Sequence, residues 1–214
     1  MPAQPTLTKS FAKLQAWLQT YTTGMSFHPP ADPAAVDNFE MKSGLQISDS
    51  LRQILLIADG ETRTSAGAIG NWRLLPIAEI QAAWGWLTQL NTKGVFNGLT
   101  SDPSPYLQDA WWHPGWVPFV SNDSNAYFCI DTQPPETTRN GQILLFFQDR
   151  PERPLVAASL SAWLDCITRD LSADMYRYDE VTGFDGEAFL WSALEGKHLL
   201  DHPEGKLIAE DNNQ

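Results

Sequence analysis

Residues Ile143–Phe147 read Ile-Leu-Leu-Phe-Phe, an apolar run with no polar member. Successive side chains of a strand point to opposite faces of its sheet. A continuous rather than alternating run therefore needs apolar cover on both faces, the pattern of a central strand. This one segment obliges the chain to set a sheet between two layers.

The surroundings supply the rest of that sheet. Residues 116–120 form one strand, interrupted by Pro118, which suits an edge or an irregular start. Residues 121–125 (Ser-Asn-Asp-Ser-Asn) are a turn, and Ala126–Asp131 is the next strand. A proline-rich loop over 132–140 leads into the central strand. A short strand near Val156 follows the charged turn at 149–154.

Helices flank this block. Leu7, Phe11, Leu14, Leu18 and Tyr21 step by four and three residues, so a first amphipathic helix runs to Gly24. A second starts at Asp32-Pro33, an N-cap acid before proline, with Val36, Phe39 and the Glu40-Met41 pair inward, and stops at Gly44. A third runs from Ser48 or Asp49 through Leu51, Ile54, Leu55 and Ala58 to the turn pair Asp59-Gly60. Residues 61–70 are a polar loop. Trp72 to Leu75 is a short strand, and Pro76 opens a helix through Ile77, Ile80, Ala83, Trp84 and Leu87. Residues 92–106 carry no period and read as a loop; residues 110–116 are an aromatic turn. Ser159 caps a helix through Leu160, Trp163, Leu164, Ile167 and Leu171, and Phe189, Leu190, Trp191 and Leu194 suggest a last one. Helices, then strands, then helices give an α+β fold: a small, mostly antiparallel sheet flanked by helices in a single domain.

Composition narrows the function classes. The 214 residues carry 26 acids against 14 Lys/Arg, a net charge of −12. Phosphate binding needs clustered cations, and no window holds more than two or three, so nucleic acid is not an expected partner. No apolar run approaches the roughly 20 residues of a membrane span, and the N-terminus lacks a secretory pattern. Cys129 and Cys166 are too few for a disulfide framework and lie in no CxxC pair, which fits buried thiols in the cytoplasm.

Four stretches, in order, resemble the SUKH superfamily, which contains fungal cell-wall assembly regulators and many bacterial immunity proteins. They are Pro29-Pro30-Ala31 with Val36 and Phe39-Glu40; Ile47 through Ile57-Ala58-Asp59-Gly60; Trp72-Arg73-Leu74-Leu75-Pro76-Ile77-Ala78-Glu79-Ile80; and the strand block from Trp116-Val117-Pro118-Phe119-Val120 to Trp163-Leu164. Asp59-Gly60 stands where the family usually has Asn-Gly. The resemblance implies a SUKH-like domain over 27–173; the first helix, over 1–26, precedes it, and an acidic C-terminal extension over 174–214, packed on or trailing from the same domain, has no counterpart in the family. It also implies a non-enzymatic immunity protein that binds and neutralises a cognate toxin in competition between bacterial cells. The alternatives are a regulator or scaffold of cell-wall assembly and a carbohydrate-binding module.

Candidate chemical groups are few. Asp123 and Asp131 could pair as glycosidase acids, yet both sit at strand ends and turns, where acids are ordinary. Of four histidines only His198 and His202 stand at i, i+4, without an HExxH pattern, so neither a metal nor a cofactor is expected. The glycines of residues 65–70 lack a P-loop lysine. Six of nine tryptophans fall between Trp72 and Trp116. Trp17, Trp84 and Trp163 fit inner helix faces, whereas the adjacent Trp111 and Trp112 cannot both point inward. The expected contact residues for a basic toxin are Asp59, Trp112, Asp123, Asn125 and Asp131, with no catalytic and no metal-binding residue. Residues 174–214 carry −7 of the charge, which makes the tail a second candidate for partner specificity.

Overall fold

The computed structural model describes residues 5–21, 26–62, 72–173, 176–179 and 189–192. The elements run α1 (Pro5–Tyr21), α2 (Pro33–Ser43), α3 (Asp49–Ile57), β1 (Arg73–Leu74), α4 (Ile77–Thr92), β2 (Trp116–Ser121), β3 (Ala126–Asp131), β4 (Ile143–Phe147), β5 (Leu155–Ala157) and α5 (Leu160–Ser172). Strands β1 to β5 form one antiparallel sheet in sequence order. Strands β6 (Tyr176–Asp179) and β7 (Phe189–Ser192) pair as a separate antiparallel ribbon. The helix expected over 189–194 is therefore a strand over Phe189–Ser192. Aromatic and apolar residues in succession suit a strand as well as a helix face. The expected end of α1 at Gly24, the loop over 63–71 with its glycines, and His198 and His202 lie outside the described residues.

Local chemistry sets the helix ends. The Asp32 carboxylate accepts from the Ala34 amide, Pro33 occupies the first turn of α2, and Gly44 closes it at φ 70°. Ser48 and Ser159 cap α3 and α5 by accepting from the amides three residues on. Met41 is 78% exposed, so the inner face of α2 is Val36 and Phe39, with half-buried Ala35 packed beside them.

The central strand divides its side chains between two cores. Ile143 and Leu145 join the larger core with Phe128, Ile130, Val117 and Phe119, against α1, α3 and α5. Leu144 and Phe146 point the other way, onto Leu87, Leu107, Trp112, Trp116 and Cys129. The second layer comes from one side of α4 and the irregular chain of residues 93–115. This is how a loop without hydrophobic period still covers a sheet face. Pro118 sits where β2 and β3 shift register, and β1 reaches only Val120 and Ser121, so no sheet ladder needs the missing proline N–H across the bulge. Strand β2 is thus irregular rather than an edge.

Candidate functional site

The turn after α3 brings the first expected contact residue to the start of α4. Gly60 has φ 68°, and a Cβ there would lie 2.3 Å from the Pro76 nitrogen, so only glycine lets the two segments pass. Asp59 is half-buried, and its carboxylate accepts from the Ile77 amide at 2.7 Å. Pro76 has no side-chain cap to offer, so Asp59 caps α4 from a distance in sequence. Next to it Glu61, fully buried, accepts from the Leu74 amide at 2.9 Å.

The β2–β3 turn supplies the next two. Asn122 Oδ1 accepts from the amides of Ser124, Asn125 and Ala126, an Asx-type clamp made by Asn122 rather than Asp123. Asp123 is held at φ 53°, and its carboxylate meets Arg73 in a fork, Nε at 3.0 Å and Nη2 at 2.9 Å. Arg73 Nη2 also donates to Glu79 at 2.6 Å. The Arg73 side chain is only 2% exposed. Burial pulls its pKa down, but the Asp123 and Glu79 carboxylates more than offset this and hold it above the usual arginine value. Asn125 is half-buried, and its carbonyl accepts from the Gln148 amide.

The last two contact residues are inside the protein. Asp131 is fully buried at the end of β3, accepting from the Gln133 amide and from Gln142 Nε2, each at 3.0 Å. Gln142 Nε2 also reaches the Tyr106 carbonyl at 2.8 Å, tying the 93–115 layer to the sheet. Burial pushes the Asp131 carboxyl up, and these two hydrogen bonds oppose the shift only in part. Trp112 is 1% exposed and packs on Phe146 and Trp116 at ring distances of 5.0 and 6.0 Å. Neither residue is presented to a partner by the folded chain, which corrects the expectation for both. Of the adjacent indoles, Trp111 is the half-buried one. It lies under Arg153, whose guanidinium donates to the carbonyls of Arg150, Glu152 and Trp111 and whose pKa burial pushes down to about 10.

The structure therefore gathers Asp59, Asp123 and Asn125 by the start of α4 and its neighbouring turn, and sets Asp131 and Trp112 within the fold. Each of the five has a structural bond or packing role. The pairing of Asp123 with Asp131 as hydrolytic acids finds no support: one forks onto a buried arginine and the other is enclosed. Trp72, Trp112, Trp116 and Trp163 are all core, which removes them from any sugar-stacking platform. Among the described residues no group of three His, Cys, Asp or Glu could hold a metal ion, and no helix is long and apolar enough to cross a membrane. Cys129 and Cys166 are both buried and are not joined in a disulfide.

Two features escaped the sequence reading. Arg73 and Arg153 are buried cations, and single arginines give no periodic signal. Trp86 is 45% exposed on α4. Its signal was present: Trp84 and Trp86 stand two residues apart, so a helix that turns Trp84 inward must turn Trp86 outward.

The family model described as the SMI1 / KNR4 family (SUKH-1) matches residues 30–166. The chain is 24% identical over 192 residues to the "Cell wall biosynthesis/cell cycle regulator smi1" of Schizosaccharomyces pombe, covering 82% of this chain and 38% of that protein. It is 32% identical over 88 residues to the "Glucan synthesis regulatory protein" of Neurospora crassa, 41% of this chain and 16% of that protein. A third relative, "KNR4/SMI1 homolog 2" of Debaryomyces hansenii, is 23% identical over 133 residues, 61% of this chain and 22% of that protein. The chain thus spans well under half the length of each of these curated relatives.

Proposed function

The chain belongs to the SMI1 / KNR4 family (SUKH-1), and on that premise we propose that it is a non-catalytic protein-binding domain acting in the regulation of cell-wall assembly. The observation that carries this reading is the pair of relatives named for control of cell-wall biosynthesis and of glucan synthesis. The site geometry agrees with it. Asp59, Asp123 and Asp131 are engaged in capping, ion pairing and a buried hydrogen-bond network, so they are ordered parts of a scaffold. A scaffold of this kind presents surfaces rather than a reaction centre.

Neutralisation of a basic toxin is the second reading, and the acid excess of −12 favours it. Deleting the gene in its host separates the two. Regulation predicts a changed wall-glucan content and altered growth under wall stress, restored by the gene. Unchanged glucan, together with rescue of cells from a co-expressed basic toxin, would overturn the regulatory reading in favour of immunity.

A further inference from the structure

The connector ahead of α2 is extended at Phe27 and is paired along one edge only. Phe27 and Glu61 stand opposite each other in an isolated antiparallel bridge. The hydrogen bonds of this bridge come from the flanking residues. The His28 amide donates to the Gly60 carbonyl at 3.0 Å, and the Thr62 amide donates to the Ser26 carbonyl at 2.8 Å. In an antiparallel pair of this kind the N–H and C=O of the middle residue turn to the opposite edge. Among the described residues, neither the Phe27 N–H nor its C=O has a hydrogen-bond partner. The Phe27 ring packs inward, edge-on to Phe11 at 5.5 Å.

A groove of about 450 Å³ borders this connector. It is lined by residues 26–30, by Gln15, Leu18 and Gln19 of α1, and by Ile57 and Ala58 at the end of α3. Residues 60–62, which occupy the paired edge, line none of it, so the groove lies on the unpaired side. Its volume falls within the roughly 300–1,000 Å³ of sites that enclose a ligand.

The lining selects the occupant. It holds no Asp, Glu, Lys or Arg, and His28 is its one titratable side chain. A charged ligand would lose its water here without gaining a counter-charge, which favours a neutral one. The polar groups come as donor and acceptor together. Phe27 offers an N–H and a C=O, and the side-chain amides of Gln15 and Gln19 each carry both, with no hydrogen bond among the described residues. A main-chain residue of an extended segment offers the same pair in return. Gln15 and Gln19 stand four residues apart, a rise of about 6 Å along the helix. Alternate residues of a strand are spaced by roughly 6.6 Å.

We propose that this groove takes an uncharged, extended segment of a partner protein. The segment pairs with the Phe27 N–H and C=O as an added strand, and the Gln15 and Gln19 amides hold it from the α1 side. This rests on reading the chain as a protein-binding domain and names the surface and the partner chemistry.

The test selects a displayed library of random heptapeptides on the full chain, then follows the enriched peptides, labelled with fluorescein, by anisotropy. Binding is expected to be the same at about 0.1 M and about 1 M salt. N-methylation of one backbone position should weaken it about tenfold or more, while alanine at the same position should not. Gln15→Ala/Gln19→Ala keeps a good helix former at both positions and should weaken binding about tenfold. Met41→Ser, at a residue that lines no part of the groove, should leave it unchanged. No enriched peptide, equal binding by the double variant, tolerance of N-methylation at every position, or loss of binding at high salt overturns the proposal. So does displacement of the peptide by a glucan oligosaccharide, because the occupant is then a sugar. A wild-type dimer in sedimentation that the double variant dissolves overturns it as well, because the occupant is then a second copy. In host extracts, a wild type that captures nothing counts against the binding-domain reading itself. Equal capture by wild type and double variant counts against this groove alone.

Discussion

Replacing Asp123 with Asn removes one charge from the ion pair on Arg73 while keeping a residue that tolerates φ 53°. Two hydrogen bonds are affected, Arg73 Nε at 3.0 Å and Nη2 at 2.9 Å. The amide can still accept one of them. A hydrogen bond to a charged group contributes about 1.5–3 kcal/mol, and stripping one partner from a wholly buried pair costs about 3–5 kcal/mol. Asp123 is 42% exposed and Glu79 still holds Nη2, so solvent and the second carboxylate reduce the loss. The expected destabilisation is about 2 kcal/mol. For a chain of this size that lowers Tm by about 4–8 °C. Urea denaturation followed by circular dichroism measures it directly, and the slope of the transition should not change. Arg73→Met should cost more, because it leaves Asp123 and Glu79 facing each other without the cation between them. A loss below about 0.5 kcal/mol for Asp123→Asn, within the range of ordinary surface substitutions, would refute the structural role assigned to this carboxylate.

The remaining expectations are more direct. Gly60→Ala should destabilise by about 3 kcal/mol or more, since it forces a Cβ into the Pro76 backbone at a positive φ; an unchanged melting temperature would contradict the close approach. Asp131 binds its proton more tightly folded than unfolded, so its contribution to stability is best at low pH and is lost as pH rises through the folded value. The wild type should therefore gain stability relative to Asp131→Asn on acidification, since the variant has no proton to bind there and keeps only one oxygen to accept from the Gln133 amide or Gln142 Nε2; paired urea titrations at neutral and acidic pH read this, and a difference that does not change with pH would contradict the raised carboxyl of Asp131. Trp112→Ala should cost about 3–5 kcal/mol in the same assay, as expected for emptying the centre of the second core. Cys129, fully enclosed and with its thiol pushed up by burial, should react with thiol reagents only at the rate of unfolding; rapid modification of the native chain would contradict the packing of that core.

How much of this could be read from the sequence depends on whether the signal is local. Helices α1, α2, α3 and α5 were legible because their caps and apolar steps lie within one segment, as at Asp32-Pro33 and Ser159. The two-faced burial of β4 followed from five residues alone. The second layer was less legible, because residues 93–115 pack through Leu107 and Trp112 without any repeat. The bonds that hold the contact acids were hidden for a related reason. Asp59, Asp123 and Asp131 look like rim residues in sequence, and their partners Ile77, Arg73 and Gln142 stand 18, 50 and 11 residues away. Fold-back of that kind leaves no periodic trace. Residues Phe189–Ser192 show the opposite error, where a short apolar run fits helix and strand equally and only its pairing with Tyr176–Asp179 decides.

The central proposal is that this domain acts in the regulation of cell-wall assembly. Glucan incorporation in a host deletion strain tests it most directly. The wild-type gene should restore incorporation to the deletion strain. Incorporation that is unchanged by the deletion, or that the gene does not restore, would contradict the account.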